Sequence, residues 1–198
     1  LVRTGSRINE ALALLWRDFD ENSMTVSINK TLSIIKNRNK TSESDSEYVI
    51  IETYPKTDKS KRKIKLSKKA LSVLENIKKQ AKMYGLSTGP DDYIFQSRTG
   101  NIVSARNVQR TLDAILKNTG IYDNVKCDGE DKKNQNQVHY GLHSLRHTFA
   151  TILIIHGVPI NVVSAMLGHK KVSTTYNIYV HVIEAQKMQA LDTLDDII

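Results

Sequence analysis

Three short segments carry side chains that can act together on a phosphate. In Gly141-Leu142-His143-Ser144-Leu145-Arg146-His147-Thr148-Phe149-Ala150-Thr151, His143 and Arg146 stand three residues apart, a spacing that puts both on one helical face. A guanidinium binds two phosphate oxygens through its planar fork, and an imidazole beside it can give or take a proton near neutral pH. His-x-x-Arg alone equally describes a partly buried histidine beside a salt-bridged arginine. A second segment runs from Leu167-Gly168-His169 to Thr174-Thr175-Tyr176-Asn177-Ile178-Tyr179-Val180-His181 and sets a histidine at a helix end ten residues before a tyrosine. The third, Thr4-Gly5-Ser6-Arg7-Ile8-Asn9-Glu10, places Arg7 and Glu10 on one face of a helical turn.

The surrounding pattern predicts the elements that hold these segments. Ile8 to Trp16 has apolar residues at a helical period, and the chain then turns through Asp18, Asp20, Glu21, Asn22 and Ser23. Three strand-like runs follow, Val26 to Ile34, Tyr48 to Thr53 and Lys61 to Leu66, and predict a small three-stranded antiparallel sheet. Lys36 to Glu47 has no apolar residue and reads as a surface connection. Ser67 reads as the N-cap of a helix closed by Gly85, and Ser104 as that of a helix closed near Gly120. The polar stretch from Tyr122 to Gln137 reads as a loop. After it come a helix from Leu142 to His156 stopped by Gly157, a short one after Pro159 stopped by Gly168, and a last one capped by Ser173 or Thr174. The fold class expected is mainly α with a small sheet, an α+β domain.

The chain has 198 residues, 39% of them hydrophobic, enough for one core. Its single cysteine, Cys127, excludes a disulfide framework and fits a reducing compartment. No apolar run approaches the roughly 18 residues of a membrane span, and no signal peptide opens the chain, so the expected location is cytoplasmic. The opening Leu1-Val2 has no initiator Met, and the chain reads as part of a longer architecture. Twenty-nine Lys and Arg against 21 Asp and Glu leave a net charge of +8, which favours a polyanionic partner. The excess is local: Pro55 to Lys82 holds eleven basic residues and two acids, a pattern that a solvated helix face also produces.

Taken in order, Thr-Gly-x-Arg-x-x-Glu, Pro55-Lys56-Thr57 with Ser60-Lys61-Arg62, His-x-x-Arg-His-Thr-x-Ala-Thr, Leu-Gly-His and Thr-Thr-x-x-x-Tyr-x-His resemble the catalytic domain of tyrosine recombinases, or phage-type integrases. The likeness spans residues 4 to 181. It implies a DNA strand transferase for site-specific integration or excision, acting through a covalent 3′-phosphotyrosyl intermediate in a bacterial host. Tyr179 would be the nucleophile, Arg7 and Arg146 the clamps on the scissile phosphate, and His143, Lys56 and His169 the proton-transfer and hydrogen-bonding groups, supported by Glu10. Lys59, Lys61, Arg62 and Arg106 are the expected DNA contacts, and the family's first catalytic-domain helix and amino-terminal DNA-clamping domain have no counterpart in the chain. Tyr176, three residues from Tyr179, is set aside on the spacing to His181. The resemblance implies no nucleotide cofactor and no metal; His139, His143 and His147 lie four apart, but Gly141 interrupts them and no Cys or acid completes four ligands. Partners implied are duplex DNA attachment sites, other protomers in a tetramer on DNA and accessory DNA-bending proteins. The stripe Met188, Leu191, Leu194 and Ile197 suggests a tail, residues 184–198, that docks in trans.

The residue types suit that chemistry. A phenol attacking a phosphodiester concentrates charge on the non-bridging oxygens, which two convergent guanidinia stabilise most in the transition state. A phenol with a pKa of about 10 needs a proton acceptor, with His143 as acceptor or relay, and the departing sugar hydroxyl needs a donor, for which Lys56 is the implied group. Three other readings remain: a nicking-closing enzyme like type IB topoisomerases, a catalytically silent DNA-binding module, and a phosphatase using His143.

Overall fold

The computed structural model describes residues 1–38, 47–54, 61–121 and 140–195, with side chains up to residue 184. Lys56, Lys59, His139, most of the two polar loops and the apolar stripe of the tail therefore lie outside the described side chains. The apolar residues pack as three groups. One unites Leu14, Trp16, Val26, Ile28, Ile64, Leu66, Leu74 and Ile94, and so joins a sheet to helix α2 (Lys68–Met83). A second packs Phe149, Ala150 and Ile154 of α4 (Leu142–Ile155) against Val163 and Leu167 of α5 (Ile160–Leu167) and Tyr179 of α6 (Val172–Asp195). The third, Leu12, Ala13 and Leu32, is overlaid by residues of α3 (Ala105–Asn118), includes the end of α1 (Ile8–Leu12) and shares Phe95 with the first.

The sheet differs from the expectation. The run Val26 to Ile34 is broken at Asn29-Lys30. Its first part, β2 (Thr25–Ile28), pairs antiparallel with β1 (Phe19–Asp20) and with β5 (Arg62–Lys65), aligning Val26 with Ile64. Its second part, β3 (Thr31–Lys36), pairs among the described residues with β4 (Tyr48–Thr53) alone. A three-stranded sheet β1-β2-β5 and a separate two-stranded β3-β4 ribbon therefore replace the single sheet. Polar anchors account for the break: Asn29 Nδ2 donates to Asp18 Oδ1 at 2.9 Å, and Lys30, 5% exposed, turns inward so that its ammonium donates to Glu52 Oε1 on β4 at 3.0 Å.

The first helix is also shorter than its periodicity predicts. It ends at Leu12, and Trp16–Asp18 form a separate 3-10 turn. The amides of Trp16 and Arg17 donate to the carbonyls of Asp92 and Pro90, and that of Leu15 to the Asp18 carboxylate, so this stretch finds partners outside a helical ladder. The later helices follow the caps. Ser67 and Ser104 accept from Ala70 N–H and Asn107 N–H, and Gly168 ends α5 in the left-handed conformation at φ 69°. The last helix starts at Val172, one residue ahead of the expected cap, and departs from helical geometry at one place, Tyr179, with φ −114° and ψ 15°.

Candidate active site

Arg146 is the centre of the site. It is 2% exposed on α4, and its guanidinium reaches across to two other segments: Nη1 donates to the carbonyl of Gly5, and Nη2 to the carbonyl of Leu167 at 2.7 Å. The close approach of the first segment depends on Gly5. Its φ is +61°, and a Cβ there would lie 2.4 Å from Cδ1 of Phe149, one turn beyond Arg146 on the same helix. Burial, with the nearby charge of Arg7, lowers the Arg146 pKa to about 10, so it remains a cation at neutral pH. The start of α4 is fixed by α3, where Gln109 Oε1 accepts from Leu142 N–H at 2.9 Å and Gln109 Nε2 donates to Tyr140 O at 3.2 Å.

A second cluster is built around Glu10. Its Oε2 accepts from the backbone N–H of Arg7 at 2.9 Å and from Arg62 Nη2 at 2.8 Å, and its Oε1 from Arg7 Nη1 at 2.8 Å. Burial alone would raise the Glu10 pKa; the hydrogen bonds and charge of Arg62, joined by those of Arg7, outweigh it and hold the carboxyl below its ordinary value. Arg62 has a side chain 8% exposed, with Nε donating to Met166 O at 2.9 Å. Arg62, expected as a DNA contact, has its guanidinium turned inward, where it ties β5 to α1 and to the end of α5. The side chain of Arg7, held from behind by Glu10, keeps 44% exposure.

Gly168, whose added Cβ would lie 2.9 Å from Arg62 Nη1, turns the chain so that His169 faces Arg146. Arg146 Nη2 is 3.0 Å from His169 Nε2, and His169 Nδ1 is 2.8 Å from Thr175 Oγ1. A guanidinium only donates, so Nε2 is the acceptor and the ring proton sits on Nδ1, donating to Thr175. Burial, then the charges of Arg146, Arg7 and Arg62, bring the His169 pKa down to about 4, which keeps the ring neutral. His143 is lowered by burial and then by His147, Arg146 and Arg7. Tyr179 is 3% exposed; burial raises its pKa while Arg146 pulls the other way, so its phenol is protonated at neutral pH.

Two clefts meet at Arg7. One of about 490 Å³ is lined by Arg7, Lys30, Tyr54, His169, Lys170 and Thr174 among others, and one of about 260 Å³ by Arg7, Asn9, Thr31, His143 and Arg146. Together they form a cationic recess of a size and polarity suited to a phosphodiester.

Against protein-family models, residues 1–186 match the model described as "Phage integrase family". The chain belongs to that family. Within it, the chain is 31% identical over 204 residues to a protein named "Tyrosine recombinase XerC-like" from Caldanaerobacter subterraneus subsp. tengcongensis, covering 98% of the chain and 47% of that relative. It is 27% identical to the "ICEBs1 integrase" of Bacillus subtilis, covering 98% of the chain and 46% of the relative. The chain thus spans about half the length of the curated relatives it matches. Among solved structures, the Tn1549 transposon integrase in complex with transposon right end DNA superposes with a TM-score of 0.68 at 21% identity, over 96% of this chain and 56% of that one. The XerA recombinase follows with 0.62 at 21% identity, over 96% and 54%. At these identities the structural likeness speaks for the phage integrase catalytic fold, mixed α and β with small antiparallel sheets.

In this integrase-family chain, Arg7, Glu10, His143, Arg146 and His169 are thus gathered at one place. Tyr179 packs beside them. Lys61, next to Arg62 in β5, and Arg106, in the first turn of α3, are exposed, and Lys56 and Lys59 are outside the described residues. Sequence reading missed Lys30, Lys170, Gln109 and, most directly, His147, whose Nδ1 lies 2.8 Å from the Tyr179 hydroxyl. The sequence signal for His147 is its spacing of four from His143, the same spacing that suggests a metal pattern.

Proposed function

We propose that the chain is the catalytic part of a site-specific DNA recombinase that cleaves and rejoins DNA strands through a 3′-phosphotyrosyl intermediate, integrating or excising a phage or other mobile element. The observation that carries this reading is the convergence of Arg7, His143, Arg146 and His169 on adjoining clefts, beside Tyr179 on α6. Arg7 and Arg146 would bind the non-bridging oxygens, and neutral His169, whose Nε2 faces Arg146, would hold that guanidinium in place. Lys56 would protonate the leaving 5′-oxygen. Storage of the linkage energy in the phosphotyrosyl ester lets a partner strand's hydroxyl reverse the step without ATP. The reading includes duplex attachment sites, exposed Lys61 and Arg106 with Lys59 as backbone contacts, tetrameric synapsis with accessory DNA-bending proteins, a tail docking in trans and a cytoplasmic location. It also places a further DNA-clamping domain in the whole protein, in keeping with relatives about twice as long.

The test is incubation with supercoiled plasmid in chelator, without nucleotide, followed by denaturation and recovery of protein-linked DNA. A covalent adduct that disappears in Tyr179→Phe is the expected result. DNA binding with no adduct, both for this chain and when it is joined to its DNA-clamping domain, would overturn the reading, as would release of inorganic phosphate.

A further inference from the structure

One side chain in contact with the reacting group has no task in the reading above. His147 follows His143 by one helical turn on α4, and the two rings meet edge to face with centroids 4.8 Å apart. Its Nδ1 lies 2.8 Å from the phenolic oxygen of Tyr179, and the two rings are 5.8 Å apart at 59°. Among the described residues, no hydrogen bond joins that phenol to His143, His169 or Arg7. Since Tyr179 is 3% exposed and packed among Phe149, Ile154, Val163 and Leu167, water has little access to it, and a proton leaving its oxygen passes to a protein group in contact.

We infer that His147 is the catalytic group that takes the phenolic proton when Tyr179 attacks, with His143 placed beyond it toward the phosphate cleft. The inference rests on the transesterase reading and replaces His143 as the direct acceptor. In the forward step the Tyr179 O–H bond breaks and its proton passes to Nδ1 of His147. The phenolic oxygen forms a bond to phosphorus, the bond from phosphorus to the 5′-oxygen breaks, and that oxygen takes a proton from the Lys56 ammonium. Rejoining runs the same transfers backward, with protonated His147 restoring the phenol. Among the described residues, the titratable groups that meet the imidazole are His143 on its own helix and Tyr179 on α6.

The experiment follows single-turnover adduct formation, first on supercoiled plasmid and then on a synthetic duplex spanning the cleavage site mapped there. The duplex is made with an ordinary 5′-oxygen or with a bridging 5′-sulfur, whose thiolate departs without a proton. His147→Asn leaves a hydrogen-bonding atom near the place of Nδ1 but cannot accept a proton. His147→Asn and His147→Ala are expected to slow adduct formation by about 10²-fold or more at unchanged duplex affinity. The sulfur duplex is expected to restore Lys56→Ala and to leave both His147 variants slow. A His147→Asn rate within a few-fold of the unaltered chain, a rate above it, or recovery on sulfur would overturn the inference. Absence of any adduct from the unaltered chain would instead remove the transesterase reading, and this inference with it. If both variants fail to bind DNA, imidazole nitrogen NMR of the unaltered chain and of Tyr179→Phe decides: an unprotonated Nδ1 that responds to loss of the phenol supports the inference, and a protonated Nδ1 contradicts it.

Discussion

Arg146 and Tyr179 lie in the same half of the molecule and are both almost wholly buried, yet they are held in different ways. The guanidinium of Arg146 is anchored by carbonyls from two distant segments and by His169, and the neighbouring Glu10 binds two further arginines. The side chain of Tyr179 is held by apolar packing and, among the described residues, by one hydrogen bond, to His147, at the point where α6 leaves helical geometry. An anion site made this way needs little reorganisation when charge develops on the phosphate, which is where fixed donors gain most over water. In the proposed reaction the phenol, on a kinked helix and tethered to His147, would share no anchor with that site among the described residues. The contrast suits a reaction in which one phosphate must be attacked, released and attacked again.

The sharpest way to break the contrast is to loosen the fixed side. Arg146→Lys keeps the charge but cannot satisfy the Gly5 and Leu167 carbonyls together with His169. Adduct formation should fall by about 10²- to 10³-fold, corresponding to about 2.7–4 kcal/mol for a lost transition-state donor, in the plasmid assay. Glu10→Ala should cost about 3–5 kcal/mol of stability, because it strands the buried Arg62 guanidinium, and denaturant titration will show it. Gly5→Ala meets both a left-handed backbone and the Phe149 ring, and should lower stability by about 2–4 kcal/mol in the same titration.

A smaller effect is a pH dependence of stability. His169 binds its proton near 4 in the fold and at its ordinary 6.5 when unfolded, so between these values the unfolded chain holds more protons. Thermal stability should therefore be level above about pH 7 and fall as pH drops from 6.5 toward 4. Glu10, lowered in the fold, should add a further loss once pH falls below its unfolded value of 4.5. His169→Gln should flatten the first slope and leave the second. The smallest effect concerns the tyrosine side: Tyr176, 39% exposed, should tolerate Phe with unchanged adduct yield.

Where local chemistry decides the structure, the sequence was readable. Ser67 and Ser104 cap helices because their hydroxyls satisfy amides three residues on, and Gly168 ends one because it adopts positive φ without penalty. Where the outcome depends on distant partners it was not. The alternating run from Val26 to Ile34 does not announce that Lys30 will find Glu52, nor does the periodicity of Ile8 to Trp16 reveal that the Trp16 amide will prefer Asp92. Arg62 illustrates the same limit within the site, since its basic neighbours suggested a DNA contact while its position opposite Glu10, 52 residues away in sequence, drew it inside. His147 was legible as a helical neighbour of His143, but its contact with Tyr179 follows from the packing of α4 on α6.

Under the proposed function, Tyr179, held beside a fixed arginine and histidine cluster, would supply the oxygen of the covalent link to DNA. The most direct test is digestion of the protein recovered on plasmid DNA and identification of the modified residue by mass spectrometry. The account predicts a nucleotide on the phenol of Tyr179 and on no other residue; modification of Tyr176 or of His143 would contradict it.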